Sequence, residues 1–167
     1  DLVDFDTFMN IFQTAGYSTQ GGDEQNYDAI YLAIHNLVGA AQIPYPLEDF
    51  EWSGWATEES QPPAAEWNIS WRDDAKHVII LFSDEEGQSY LVPKITENIL
   101  VDMINAADEL SIYAFTEEWL LDLAMPNNYV PLTEAGLGGK AYSLTTDALE
   151  MYNNLLQILD ETACGGK

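Results

Sequence analysis

Between Lys76 and Glu86 the chain reads Lys-His-Val-Ile-Ile-Leu-Phe-Ser-Asp-Glu-Glu. Five consecutive apolar residues, Val78 to Phe82, bounded by polar ones, predict a strand buried on both faces. Such strands belong to parallel sheets covered by helices. In open α/β sheets, ligands bind beyond the carboxyl ends of the strands. Asp84, Glu85 and Glu86 follow this strand at once. They stand where a ligand is expected. An earlier loop, Gly21-Gly22-Asp23-Glu24, opens a helical pattern and offers a second pair of carboxylates.

The remaining periodicity supplies elements around this strand. Phe5, Phe8, Met9 and Phe12 predict a short helix over 4–14. A Gly/Ser/Thr loop leads to a helix over about 24–40, with Tyr27, Ile30, Ala33, Ile34, Leu37, Val38 and Ala41 on one stripe. Asp23 or a neighbour caps it, and acids occupy its first turn, where the helix dipole favours anions. After the strand at 77–82, residues 88–92 are expected to be extended, and a helix to run over about 95–107. Strands at 110–115 and 140–144 and helices at about 117–123 and 147–161 complete the chain. The last helix is expected to pack through Leu149, Tyr152, Leu155, Leu156 and Leu159. Strand and helix alternate, which predicts an α/β fold with a mainly parallel sheet.

Residues 42–71 break this rhythm. Pro44, Pro46, Pro62 and Pro63 interrupt any regular element, and Trp52, Trp55, Trp67 and Trp71 are four of the five tryptophans. A long excursion rich in aromatics is expected to be ordered, and either packs on the core or forms a binding surface. Trp52 and Trp55, with Glu85, are the candidate ligand-binding residues.

Length and composition suit a single domain, 1–167, with a sizeable core. Twenty-nine acids oppose five Lys and Arg, a formal net charge of −24, and no Lys or Arg precedes Arg72. Nucleic acids and anionic membranes are bound through Lys and Arg, so neither is an expected partner. Cations and basic surfaces are favoured instead. No apolar run reaches the roughly 20 residues of a membrane span. The lone Cys164 excludes an internal disulfide and a Cys-rich zinc site. The chain opens at Asp1 without an initiator Met and is expected to be a processed product or a fragment.

Four segments together resemble a von Willebrand factor A (vWA) domain, the Rossmann-like adhesion module also found in integrins. Gly21 to Ile30 (GGDEQNYDAI) resembles the second metal loop and its helix. Trp71 to Glu85 resembles the strand and third metal loop, usually an apolar run ending in Thr-Asp. Leu110 to Thr116 resembles the next strand, and Gly138-Gly139-Lys140-Ala141-Tyr142 the approach to the last one. The resemblance implies a metal-ion-dependent adhesion site holding Mg²⁺ or Ca²⁺, whose open coordination position takes an acidic residue of a protein ligand. It places Glu24 and Asp84 at ligand positions, with Asp23 the alternative to Glu24. It also implies coupling between the metal loops and the terminal helix, and an extracellular or cell-surface setting.

One part of the family pattern is missing. Its first metal loop, Asp-x-Ser-x-Ser at the end of the central strand, does not occur. The chain therefore resembles the C-terminal part of a vWA domain, with the N-terminal strands expected from a second chain or absent from a reduced sheet. Two rival motifs fail. Asp4-Phe5-Asp6-Thr7 lacks the strand that a phosphatase nucleophile needs, and Gly136 to Lys140 lacks the spacing of a phosphate loop. No nucleophile–base set stands out, so the chain is not read as an enzyme. A divalent-metal-dependent adhesion or protein-binding module is the leading expectation. A structural or assembly domain of the same fold, without a working metal site, is the alternative.

Overall fold

The computed structural model describes residues 25–35, 37, 51–52, 71–72, 74–89, 91–107 and 109–163. The predicted helix over 4–14 and most of the 42–71 excursion lie outside them. So do Asp23, Glu24, Trp55 and Cys164. In chain order the elements are α1 (Asn26–Ile34), β1 (Glu51–Trp52), β2 (His77–Ser83), β3 (Leu91–Val92), α2 (Glu97–Ala106) and β4 (Leu110–Thr116). A 3-10 turn (Glu118–Leu121), α3 (Val130–Glu134), β5 (Lys140–Ser143) and α4 (Ala148–Ala163) follow.

Three of the strands form a parallel sheet in the order β2-β4-β5. Helices flank it, an α/β architecture compatible with a Rossmann-like fold. β1 and β3 pair separately as a two-residue antiparallel ribbon.

β4 is the middle strand, and all seven of its residues are buried. Successive side chains of a strand point to opposite faces. Leu110, Ile112 and Ala114 enter the main core with Leu100, Met103 and Ile104 of α2 and Leu132 of α3. Tyr113 and Phe115 enter a smaller cluster with Tyr142 and Ile158. The register sets Phe82, Phe115 and Tyr142 directly opposite one another. Their rings stack with centroids 4.9 Å apart at both steps, close to the spacing of neighbouring strands.

β2 departs from its prediction of full burial. Ile79 and Leu81 pack on the main core, but Ile80 and Phe82 are 37% and 40% exposed. The cause is position. β2 is the outer member of the described sheet, and its second face is only partly covered. The fully buried strand is β4.

The helices show two further differences. α1 ends at Ile34, short of the predicted stretch, and His35 N and Leu37 N turn back onto Tyr31 O and Ile34 O. It is also buried round most of its circumference, including Tyr31, Leu32 and Asp28 off the predicted stripe. α4 begins where Asp147 Oδ1 accepts from the backbone N–H groups of Leu149 and Glu150. It packs through Met151, Leu155 and Ile158. Leu149, Tyr152, Leu156 and Leu159, predicted to be buried, are exposed. Two apolar stripes run along this helix, and the flat surface offered by Tyr113, Phe115 and Tyr142 accommodates one of them.

Turns close the βα units. Thr96 caps α2 by accepting from Ile99 N. The approach to β5 is a turn, as expected: Gly136 holds φ 64°, and a side chain on Gly139 would collide with the Ile112 carbonyl.

Candidate functional site

The carboxyl end of β2 is tied to α1 and α3 by one hydrogen-bonded knot. Ser83 Oγ accepts from the backbone N–H of Glu85 at 3.1 Å, a local turn that leaves Asp84 at its apex. Asn26 Nδ2, at the first position of α1, donates to Ser83 Oγ at 2.9 Å and faces Tyr129 Oη at 3.0 Å. The Tyr129 hydroxyl has a single proton. The Glu85 carbonyl at 2.9 Å is the nearer acceptor and takes it, ahead of Ser83 Oγ at 3.3 Å. Ser83 O–H points to the same carbonyl at 3.0 Å. With its proton donated and its lone pairs engaged, Ser83 braces the loop and is not itself available to a ligand.

Two backbone bonds lengthen the clamp. Tyr27 N donates to Gln88 O at 3.0 Å, and Gly87 N to Asn127 O at 2.9 Å. Tyr27 and Tyr129 meet edge to face, 6.3 Å between centroids. A side chain on Gly87 would run into the Tyr27 ring, so only glycine lets the loop lie this close. Beside it opens a cavity of about 310 Å³ lined by Tyr27, Glu86, Gln88, Lys94 and Asn127. Tyr27 Oη is buried without a hydrogen-bond partner among the described residues. Burial pushes this phenol well above its ordinary range, and the charges of Glu97 and Glu86 add to the effect. It stays neutral.

Of the sequence-predicted residues, Asp84 is exposed at the carboxyl end of β2 and Glu85 is half-buried beside it. Glu24 and Asp23 precede α1 by two and three residues from Asn26 and lie outside the described residues. Trp52 pairs through its backbone with Leu91 in the small ribbon, and Trp55 is outside the described set. Trp71, from the same tryptophan-rich excursion, is a packing residue. Its Nε1 donates to Ala33 O at 2.8 Å, and its ring meets His77 edge to face at 5.1 Å. His77 Nε2 donates to Arg72 O at 2.9 Å, a structural role.

Among the described residues, no three His, Cys, Asp or Glu side chains come together at metal-holding distances. Thr116, opposite Ser83 in the register, is fully buried, and its hydroxyl has no partner among the described residues. What the edge exposes is oxygen, the Asp84 carboxylate. That chemistry suits hard cations and not zinc.

Sequence reasoning missed Asn26 and Tyr129. They join Ser83 across 57 and 46 positions, and no local pattern announces contacts at such range. Ser83 had a signal, a hydroxyl residue directly before the loop acid. Among the described residues no helix is long and apolar enough to cross a membrane. Comparison with family models, curated proteins and solved structures found no match.

Proposed function

We propose that this chain is a divalent-cation-dependent protein-binding module of the vWA type, working outside the cell or at its surface. In this reading Asp84 and Glu24, with Asp23 as the alternative, hold Mg²⁺ or Ca²⁺. An acidic side chain of a protein ligand completes the coordination, and Glu85 with Trp52 and Trp55 flanks it.

One observation carries the reading. Asn26 Nδ2 reaches Ser83 Oγ, so the start of α1, which follows Asp23 and Glu24 in the chain, is fastened to the loop that bears Asp84. A cation shared by the residues before α1 and the loop after β2 would need the start of α1 beside that loop, at the carboxyl edge of the sheet. Calorimetric titration with Mg²⁺ and Ca²⁺ tests it. Binding heat is expected, and Asp84→Ala and Glu24→Ala are expected to abolish it. An absence of heat, or the same heat in Asp84→Ala, sinks the reading.

A second reading is an assembly domain of the same fold with no working metal site; Ser83, at the end of β2, has its hydroxyl engaged by Glu85 and Asn26. It predicts no heat in that titration and a folded, cation-indifferent protein.

A further inference from the structure

α4 carries two apolar stripes, and among the described residues only one is covered. Met151, Leu155 and Ile158 recur at i, i+4, i+7 and pack on Tyr113, Phe115 and Tyr142. Leu149, Tyr152, Leu156 and Leu159 recur at i, i+3, i+7, i+10 and stand 67%, 53%, 40% and 56% exposed. A single exposed leucine needs no explanation. Four large apolar side chains in register along about 15 Å of one helix do. Their alternating three- and four-residue spacing is the seam by which one helix docks on another.

Charge narrows the occupant. α4 holds Glu150, Asp160 and Glu161 and no Lys or Arg, and the whole chain carries −24. A second copy would bring the same acids to the seam and the same net charge to the encounter. An anionic membrane would do likewise. A helix with an apolar stripe and lysines or arginines along its flanks brings opposite charge to Glu150 and Asp160, which lie along one flank of the seam, and to the acidic chain as a whole.

We propose that the exposed stripe of α4 docks a basic amphipathic helix of another protein, with Leu149, Tyr152, Leu156 and Leu159 as its apolar contacts. The surface uses none of the residues at the carboxyl edge of the sheet, and it stands whether or not that edge holds a cation.

The test uses the full chain in EDTA, so a failed metal site leaves it untouched. The probe is a fluorescent peptide of about five helical turns, with leucines at three- and four-residue spacing and lysines elsewhere. A scrambled peptide of identical composition controls for attraction by charge alone. The patterned peptide is expected to bind at least about tenfold more tightly than the scrambled one, with both weakened by salt. The double variant Leu156→Gln/Leu159→Gln is expected to reduce the patterned peptide to the scrambled level. Its thermal midpoint should change little, because Leu159 is 56% and Leu156 40% exposed. Equal binding of the two peptides, or undiminished binding to the variant, overturns the proposal. So does self-association of the chain in sedimentation that the variant removes, since the seam would then belong to a second copy.

Discussion

Tyr27 and Tyr129 stand nearly perpendicular, ring centroids 6.3 Å apart, and their hydroxyls sit in opposite circumstances. That of Tyr129 donates to the Glu85 carbonyl and meets the Asn26 amide. That of Tyr27 is buried with no partner among the described residues. A buried polar group without a hydrogen bond costs about 1–3 kcal/mol, while a made bond contributes about 1 kcal/mol. The same substitution therefore has opposite signs at the two positions. Tyr27→Phe is expected to stabilise by about 1 kcal/mol. Tyr129→Phe is expected to destabilise by about 1–2 kcal/mol, because it strips a partner from Glu85 O and from Asn26. Urea denaturation of both variants checks the pair, and equal effects in the same direction would count against the assignment. Gly87→Ala is a separate case. Its Cβ would overlap the Tyr27 ring, so the loop or the ring must shift. Overpacking of this kind costs about 1–3 kcal/mol, read as a lower urea midpoint.

At the scale of elements, the strands were legible because their signal is local. Val78 to Phe82 is a short apolar run between polar boundaries, Leu110 to Phe115 a largely apolar one with Ser111 inside it, and both form strands at those positions. Which strand is central was not legible, since that depends on neighbours far away in the chain. The apolar run with the more conspicuous acids, β2, is the outer of the two in the described sheet. α4 makes the same point. Both of its stripes can be read from spacing, but the packed one is chosen by the shape of the Tyr113, Phe115 and Tyr142 surface. That docking has a titratable tether. Tyr113 Oη donates to Glu161 Oε2 at 3.2 Å across the sheet–helix boundary. Burial, the hydrogen bond to Glu161 and the Glu161 charge push this phenol up to about 12. Burial also raises Tyr142 beside it, and Tyr27 in the other core. A folded-state value above the unfolded one favours folding fully below the unfolded pKa of about 10, and the advantage is lost as pH rises through the folded value. Stability is therefore expected to be flat with respect to tyrosine up to about pH 10 and to fall between about 10 and 12. Tyr113→Phe should flatten part of that fall, in thermal melts followed by near-ultraviolet circular dichroism. A fall of the same depth in wild type and variant would remove Tyr113 from the account.

For the whole molecule, charge is the dominant long-range property. Twenty-nine acids share the chain with five Lys and Arg, while the described residues include one ion pair, Arg72 with Asp74, at 3.4 Å and largely in water. Salt has little attraction to screen and much repulsion. The field of each charge reaches about 30 Å at an ionic strength of about 0.01 M and about 3 Å at about 1 M. Compaction of a chain at −24 opposes that repulsion, so the folded state gains more from screening than the expanded unfolded one. Raising NaCl across this range is expected to lift the thermal midpoint on the order of 5 °C, and KCl should do the same. A flat or falling midpoint would show that the acids are already neutralised by some other means. The candidate site adds a second component that can be separated from the first. A cation held by Asp84 and Glu24 binds only the folded chain, and stabilises it by mass action at concentrations far too low to screen. Mg²⁺ or Ca²⁺ compared with NaCl at equal ionic strength should then raise the midpoint further. Asp84→Ala should erase that increment and leave the NaCl response intact. If the divalent and monovalent salts coincide at equal ionic strength, the acids at the sheet edge act only as part of a diffuse surface charge.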